Sequence, residues 1–267
     1  MYKDFFGLTE RPFSKTPDPR FLYLSRGHRE ALARMQYAVE ERDIVLLTGD
    51  IGCGKTTLSR VLIDALDACK IILMINPRLT PVEFLRVLAM RLDVAEPARY
   101  KADLLEQIGG ALYALYESGV HPVLVIDEAQ LVPHKETFDE IRLLTNFQFD
   151  DQNMISVVLM GQPELRRRLT HRAYEPLRQR IGMQYDLKPL ELEETVDYIR
   201  FRMEVASGSA DAFTRSAAQK IHDYSGGVPR RINHVAGLSL LEAFGRESLV
   251  VDDRVIDAVL AELSLGV

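Results

Sequence analysis

Gly49, Gly52 and Gly54 are followed at once by Lys55 and Thr56, in the stretch LLTGDIGCGKTTLSR. The pattern G-x-x-x-x-G-K-[ST] stands between a β-branched and leucine-rich run, Ile44 to Leu47, and a helix-forming run, Thr57 to Leu66. Strand, loop and helix in that order are the setting in which the pattern binds phosphate. The glycines let backbone N–H groups turn inward around an anion, and the helix N-terminus adds its positive end. The phosphate-binding segment therefore comprises Gly49, Asp50, Ile51, Gly52, Cys53, Gly54, Lys55, Thr56 and Thr57. Lys55 supplies a mobile charge for the outer phosphates, and the Thr56 hydroxyl can hold Mg²⁺.

A second group of residues bears on what happens to the phosphate. VLVIDEAQ ends an apolar run at Asp127 and Glu128, and in open α/β sheets ligands sit at the carboxyl ends of strands. Beside a phosphate loop, Asp127 reads as a Mg²⁺ partner through its water shell, and Glu128 as the group that orients a water toward the γ-phosphate. The extra Glu favours hydrolysis over binding alone. Gln162, at the end of VVLMGQPEL, can bridge the γ-phosphate and the attacking water. Arg178 and Arg180 in YEPLRQRIGMQY are candidates for a guanidinium that neutralises transition-state charge from a neighbouring subunit, Arg180 ahead of Arg178. In SGGVPRRINH, Gly226 and Gly227 make a turn, Pro229 suits the first helical turn, and Arg230 is placed to reach the γ-phosphate, with Arg231 competing. Arg166 to Arg168 read as a solvated helix face, with an anion-binding surface as the alternative. The six histidines form no metal-spaced group.

The elements that must position these groups follow from the pattern of apolar runs. Strands are expected at Ile44 to Thr48, Ile71 to Asn76, Pro122 to Ile126, Ile155 to Met160 and in QYDLKPL. Helices are expected at His28 to Arg42, after the N-cap and proline of TPVEFLRVLAMRL, in ADLLEQIGGALYALYES (weakened by Gly109 and Gly110) and in TFDEIRLLTNF. Short continuous apolar runs between helices imply a parallel sheet covered on both faces. After Pro189 only helical spacing remains. The expected segments are an N-terminal arm over 1–30, an α/β domain over 31–190 and a helical lid over 191–267. The arm, with four prolines in FFGLTERPFSKTPDPRFLYL, is expected to pin onto a folded body by its aromatic residues. Part of FLYLSRGH, at Leu24 and Ser25, is an alternative adenine contact.

Composition removes several classes. Hydrophobic residues make up 47% of the 267, enough for a full core. A net charge of −6 with mixed signs argues against a nucleic-acid footprint over the whole chain. Cys53 and Cys69 match no zinc or redox spacing and suit a reducing cytoplasm. Cys53 reads either as a small tolerated residue or as a thiol whose modification would block nucleotide entry. MYKDFFGLTERPF lacks the apolar stretch of a signal peptide, and no apolar run approaches a membrane span.

Phosphate loop, Asp-Glu strand end, Gln162, Arg180 before a fifth strand and Arg230 in a helical region together resemble the AAA+ ATPases. That resemblance implies a doubly covered α/β fold with parallel strand order 5-1-4-3-2, a small all-α lid, ATP with Mg²⁺, and a site completed by the next subunit. The homo-oligomer would be a ring, for instance a hexamer, or a helical filament. YKDFFGLTERPFSKTPDPRFLYLSRGHREALARMQYAVEER, VLMGQPEL and SGGVPRRIN are also similar to the general secretion pathway protein A family of Gram-negative bacteria. This narrower resemblance implies work with type II secretion or pilus-like assembly proteins, in the cytoplasm or at the inner face of the inner membrane. Longer members carry a membrane helix and a peptidoglycan-binding domain after the ATPase, and neither is expected within these residues. The same ATPase type resembles regulators of DNA transposition, so a DNA-binding ATP switch is the alternative.

Overall fold

The structure is a computed structural model and describes residues 2–14, 18–149 and 152–265. Lys15 to Pro17 of the proline-rich arm lie outside the described residues. In chain order the strands of the main sheet are β1 (Ile44–Gly49), β2 (Cys69–Met74), β3 (His121–Ile126), β4 (Ser156–Gly161) and β5 (Ile181–Leu187). The longer helices are α1 (Arg26–Glu40), α2 (Lys55–Asp64), α3 (Pro81–Arg91), α4 (Lys101–Glu117), α5 (Lys135–Leu144), α6 (Pro163–Leu169), α7 (Leu192–Val205), α8 (Arg215–Ser225), α9 (Pro229–Gly245) and α10 (Asp253–Leu265). By contact, the chain divides into two compact units: residues 29–49 with 59–187, and residues 1–28 with 50–58 and 188–267. This division cuts the chain differently from the three segments read from the sequence, because the arm and the phosphate loop group with the C-terminal helices.

The first unit is built on the sheet. Its pairings are all parallel and run β2-β3-β4-β1-β5, which from the other edge is the expected order 5-1-4-3-2. Every residue of β1 and β4 is buried, as a strand covered on both faces requires. The edge strands β2 and β5 are buried only in part, which is why their sequences are less uniformly apolar. The capping box at Thr80 and Glu83 with Pro81 next starts α3 as anticipated. Helix α4 runs through Gly109 and Gly110, and Gly109 has a packing reason, since a Cβ there would stand 2.9 Å from the Phe147 ring. Strand starts differ from the reading by up to two residues at β2 and by more at β5. A short antiparallel pair, Gln148–Phe149 with Gln152–Asn153, was not anticipated, because two-residue strands carry no periodicity.

The second unit has its own core. Phe6, Leu8, Phe13 and Phe21 of the arm are buried together with Val196, Ile199, Met203, Ile221, Ile232 and Val255 from α7 to α10. Phe13 meets Phe213 edge-on, and Tyr23 meets Tyr198. Arg202, 7% exposed, latches this arm. Its Nε donates to the Pro12 carbonyl at 2.5 Å, its Nη1 donates to the Tyr198 hydroxyl, and its guanidinium lies over the Phe21 ring. Hydrogen bonds from a charged donor contribute about 1.5–3 kcal/mol each. The arm is thus an integral layer of the helical unit, and its own regular structure is limited to one helical turn at Tyr2–Phe5 and a 3-10 turn at Pro19–Phe21.

Candidate functional site

In the helical unit, Gly52 and Gly54 sit at φ +90° and +97°, a conformation that side chains resist. A Cβ at residue 52 would come within 2.5 Å of Arg230 Cβ, and the Arg230 N–H donates to the Gly52 carbonyl at 3.2 Å. The loop glycine and the start of α9 therefore fit one another. Arg230 is the arginine on the loop, whereas the Arg231 N–H turns back to Val228 O. That approach depends on the turn before it. Gly227, at φ +73°, receives Leu190 O where a Cβ would clash at 2.0 Å. Lys55 is the first residue of α2 and is 6% exposed, with Nζ 2.9 Å from the Asp50 carbonyl oxygen. Asp50, Ile51 and Thr56 are exposed, and Thr57 is half-buried. Leu24 is half-buried beside Ser25, whose hydroxyl lies against His28.

Cys53 is fully buried. That overturns the reading of a thiol poised to block nucleotide entry: what the residue can offer a phosphate is backbone. A short treatment of the folded protein with a maleimide is expected to leave Cys53 unlabelled by peptide mass spectrometry until denaturant is added. Rapid Cys53 labelling in buffer would contradict its burial. Cys69 is partly buried, and burial raises its thiol pKa, so its labelling is also expected to be slow.

In the sheet unit, Asp127 follows β3 and is 4% exposed, with Oδ1 accepting the Glu128 N–H at 2.8 Å. Glu128 adopts a left-handed backbone, φ 52° and ψ 38°. Its Oε2 accepts from Gln130 Nε2 at 2.5 Å and from Gln162 Nε2 at 3.1 Å. Gln130 Oε1 accepts the Gln162 N–H at 3.1 Å. Glu128 and Gln162 are thus brought together as the reading required, with Gln130 as a third member that it missed. Gly161 makes room for this bridge, since a Cβ there would be 2.7 Å from Gln130 Oε1. Arg178 and Arg180 do not join the group. Arg178 Nη1 donates to Thr170 O, and Arg180 Nη2 donates to Asn146 Oδ1. The arginine run is internally engaged: Arg166 faces Asp186, Arg167 pairs with Glu164, and Arg168 lies over the Phe138 and Tyr174 rings.

Residues 38–169 match the AAA domain family. This chain carries an AAA domain and resembles general secretion pathway protein A. To that protein from Aeromonas hydrophila it is 40% identical over 253 residues, covering 93% of this chain and 46% of the relative. To an uncharacterized HTH-type transcriptional regulator of Methanocaldococcus jannaschii it is 26% identical over 149 residues, covering 54% and 36%. The chain therefore spans less than half the length of the curated relatives it matches. The fold is shared with the Aeropyrum pernix ORC2 protein, at TM-score 0.70 and 17% identity over 95% of this chain and 71% of that one. It is shared also with Cdc6p of Pyrobaculum aerophilum, at TM-score 0.66 and 15% identity over 91% and 68%. Among the described residues no helix is long and apolar enough to cross a membrane.

Proposed function

We propose that this chain binds and hydrolyses ATP with Mg²⁺, assembles on ATP into a homo-oligomer, and supports assembly of a secretion or pilus-like envelope machine at the inner face of the inner membrane. The observation that carries the nucleotide reading is the loop itself. Two left-handed glycines, a buried lysine at the first position of α2 and the backbone of Arg230 converge on one short turn. A Cβ at residue 52 would run into Arg230 and one at residue 54 would press on the His28 ring, so both glycines are needed for the loop to pack as it does. The residues fit Mg²⁺ as well: the Thr56 hydroxyl and the buried Asp127 carboxylate are hard oxygen donors, and Mg²⁺ takes few protein ligands beside waters and phosphate. When bound, the ion neutralises charge on the β- and γ-phosphate oxygens. Hydrolysis is supported by the Glu128 carboxylate, held by two amide donors, at the carboxyl end of the sheet from which β1 hands the chain to the loop. The envelope role rests on the 40% identity to general secretion pathway protein A.

Lys55→Ala is the test of the loop. The phosphates lose the loop's own cation, and binding of labelled ATP is expected to disappear. Affinity equal to the parent's would refute the phosphate-loop reading. The rival is an ATP switch that binds DNA, the ligand with which an Aeropyrum pernix ORC1 structure of this fold was solved. The internal pairing of Arg166, Arg167 and Arg168 speaks against a free basic face at α6. A salt titration of binding to random duplex decides, since phosphate contacts give a steep negative slope of affinity against salt.

A further inference from the structure

His28 has no part in the nucleotide reading so far, yet its ring bridges Ser25 and the phosphate loop. Its Nε2 lies 2.9 Å from the Cys53 carbonyl oxygen, and its Nδ1 lies 2.8 Å from Ser25 Oγ. A carbonyl can only accept, so Nε2 carries the proton. The ring is 2% exposed, and burial pushes the imidazole below its usual pKa, which leaves it neutral with Nδ1 accepting from the Ser25 hydroxyl. Ser25 Oγ also accepts the His28 backbone N–H at 3.3 Å, so the first turn of α1 fixes the ring's orientation. The ring packs against Gly54, where a Cβ would stand 3.0 Å from Nε2.

The consequence is stereochemical. In a trans peptide the C=O and the N–H point in opposite directions, and the described residues contain no cis bond. Holding the Cys53 carbonyl toward the buried ring therefore turns the Gly54 N–H away from it. Gly54, at φ +97°, has no side chain to resist rotation of this peptide, so the orientation needs an outside brace. We propose that His28 is a positioning residue for phosphate binding: its Nε2–H holds the Cys53–Gly54 peptide so that the Gly54 amide faces the β-phosphate of a nucleoside di- or triphosphate. The proposal rests on the nucleotide reading of the loop and adds the group that organises it. The Arg230 N–H, on the Gly52 carbonyl, holds the preceding peptide, whose Cys53 N–H donates to the Asp50 carbonyl at 3.3 Å.

The test compares His28→Leu, which keeps bulk without a donor, with His28→Gln, whose terminal amide reaches the place of Nε2. Affinities for fluorescent ADP and ATP are measured by titration, and nucleotide-free melting is measured alongside. His28→Leu is expected to weaken both nucleotides about tenfold, the worth of one organised hydrogen bond, and His28→Gln to restore affinity to within about threefold. Unchanged affinity in His28→Leu overturns the proposal, and so does a Gln variant as weak as the Leu one, which would make the ring a packing element only. If His28→Leu yields no folded protein, His28→Asn takes its place with the same outcomes, because its shorter amide falls short of Cys53 O. A parent protein that binds neither nucleotide would instead refute the ATP reading itself.

Discussion

Glu128→Gln is expected to bind ATP as tightly as the parent and to turn it over about 10²–10⁴ times more slowly, the usual cost of losing a general base. The geometry says why the substitution should be so selective. The Glu128 Oε2 accepts from the side-chain amides of both Gln130 and Gln162. A glutamine at 128 has one oxygen to offer those two donors, so its NH₂ group turns to the place of the other carboxylate oxygen. A donor then stands where an acceptor is needed, and the shape is otherwise kept. The left-handed backbone of Glu128 costs of order 1 kcal/mol or more for a residue with a side chain, and the Asp127 carboxylate meets its N–H. Such a conformation aims the side chain rather than stabilising the fold. Phosphate release and fluorescent-nucleotide titration on one preparation decide the matter. Near-normal turnover with weakened affinity would move Glu128 into a binding role.

The residues that were legible in the sequence and those that were not differ in kind. The strands and the phosphate loop follow from local pattern, since buried central strands must be uniformly apolar and the loop's glycines are required where φ is positive; the strand order came only with the AAA+ resemblance. Arg230 was placed by its position just inside a helix start after Gly-Gly-Val-Pro, and it lies against Gly52. Gln130 and His28 were missed for a shared reason. Each acts through a partner distant in sequence, 32 residues from Gln130 to Gln162 and 25 from His28 to Cys53, and neither carries a charge that would mark it. Gln130 is brought back to Glu128 only by the left-handed turn, which an Asp-Glu pair does not announce. The local clue for His28 was Ser25 three residues before it, a spacing that caps a helix and in doing so orients the ring. Of the two readings of Cys53, the small tolerated residue fits its burial and the entry-blocking thiol does not, because a backbone that turns its amides to an anion can turn its side chains into the core.

Mixing inactive Arg180→Ala with inactive Lys55→Ala is expected to restore turnover that neither variant shows alone. The reason lies in which end of the sheet each group occupies. Arg180 directly precedes Ile181, the first residue of β5, whereas Asp127, Glu128 and Gln162 follow the last residues of β3 and β4. The strands are parallel, so these ends are opposite. A strand the length of β5 spans roughly 20 Å at about 3.3 Å per residue, beyond the reach of an arginine side chain. If Arg180 neutralises charge on a phosphoryl transition state, that phosphate belongs to another subunit. Arg180→Ala should then leave its own ATP binding intact and lower hydrolysis by as much as about 10³. Parent activity per subunit should rise with protein concentration as interfaces form. At a mixed interface the Arg180→Ala chain contributes an intact phosphate loop and the Lys55→Ala chain an intact arginine. Its bond to Asn146 Oδ1 gives Arg180 a role within one chain, but such a role cannot be rescued by a second copy that binds no ATP. If activity per subunit is flat over a wide concentration range and the mixture stays inactive, Arg180 does not act in trans. Arg178, tied to Thr170 O near the same sheet end, is then the arginine to exchange in the same experiment.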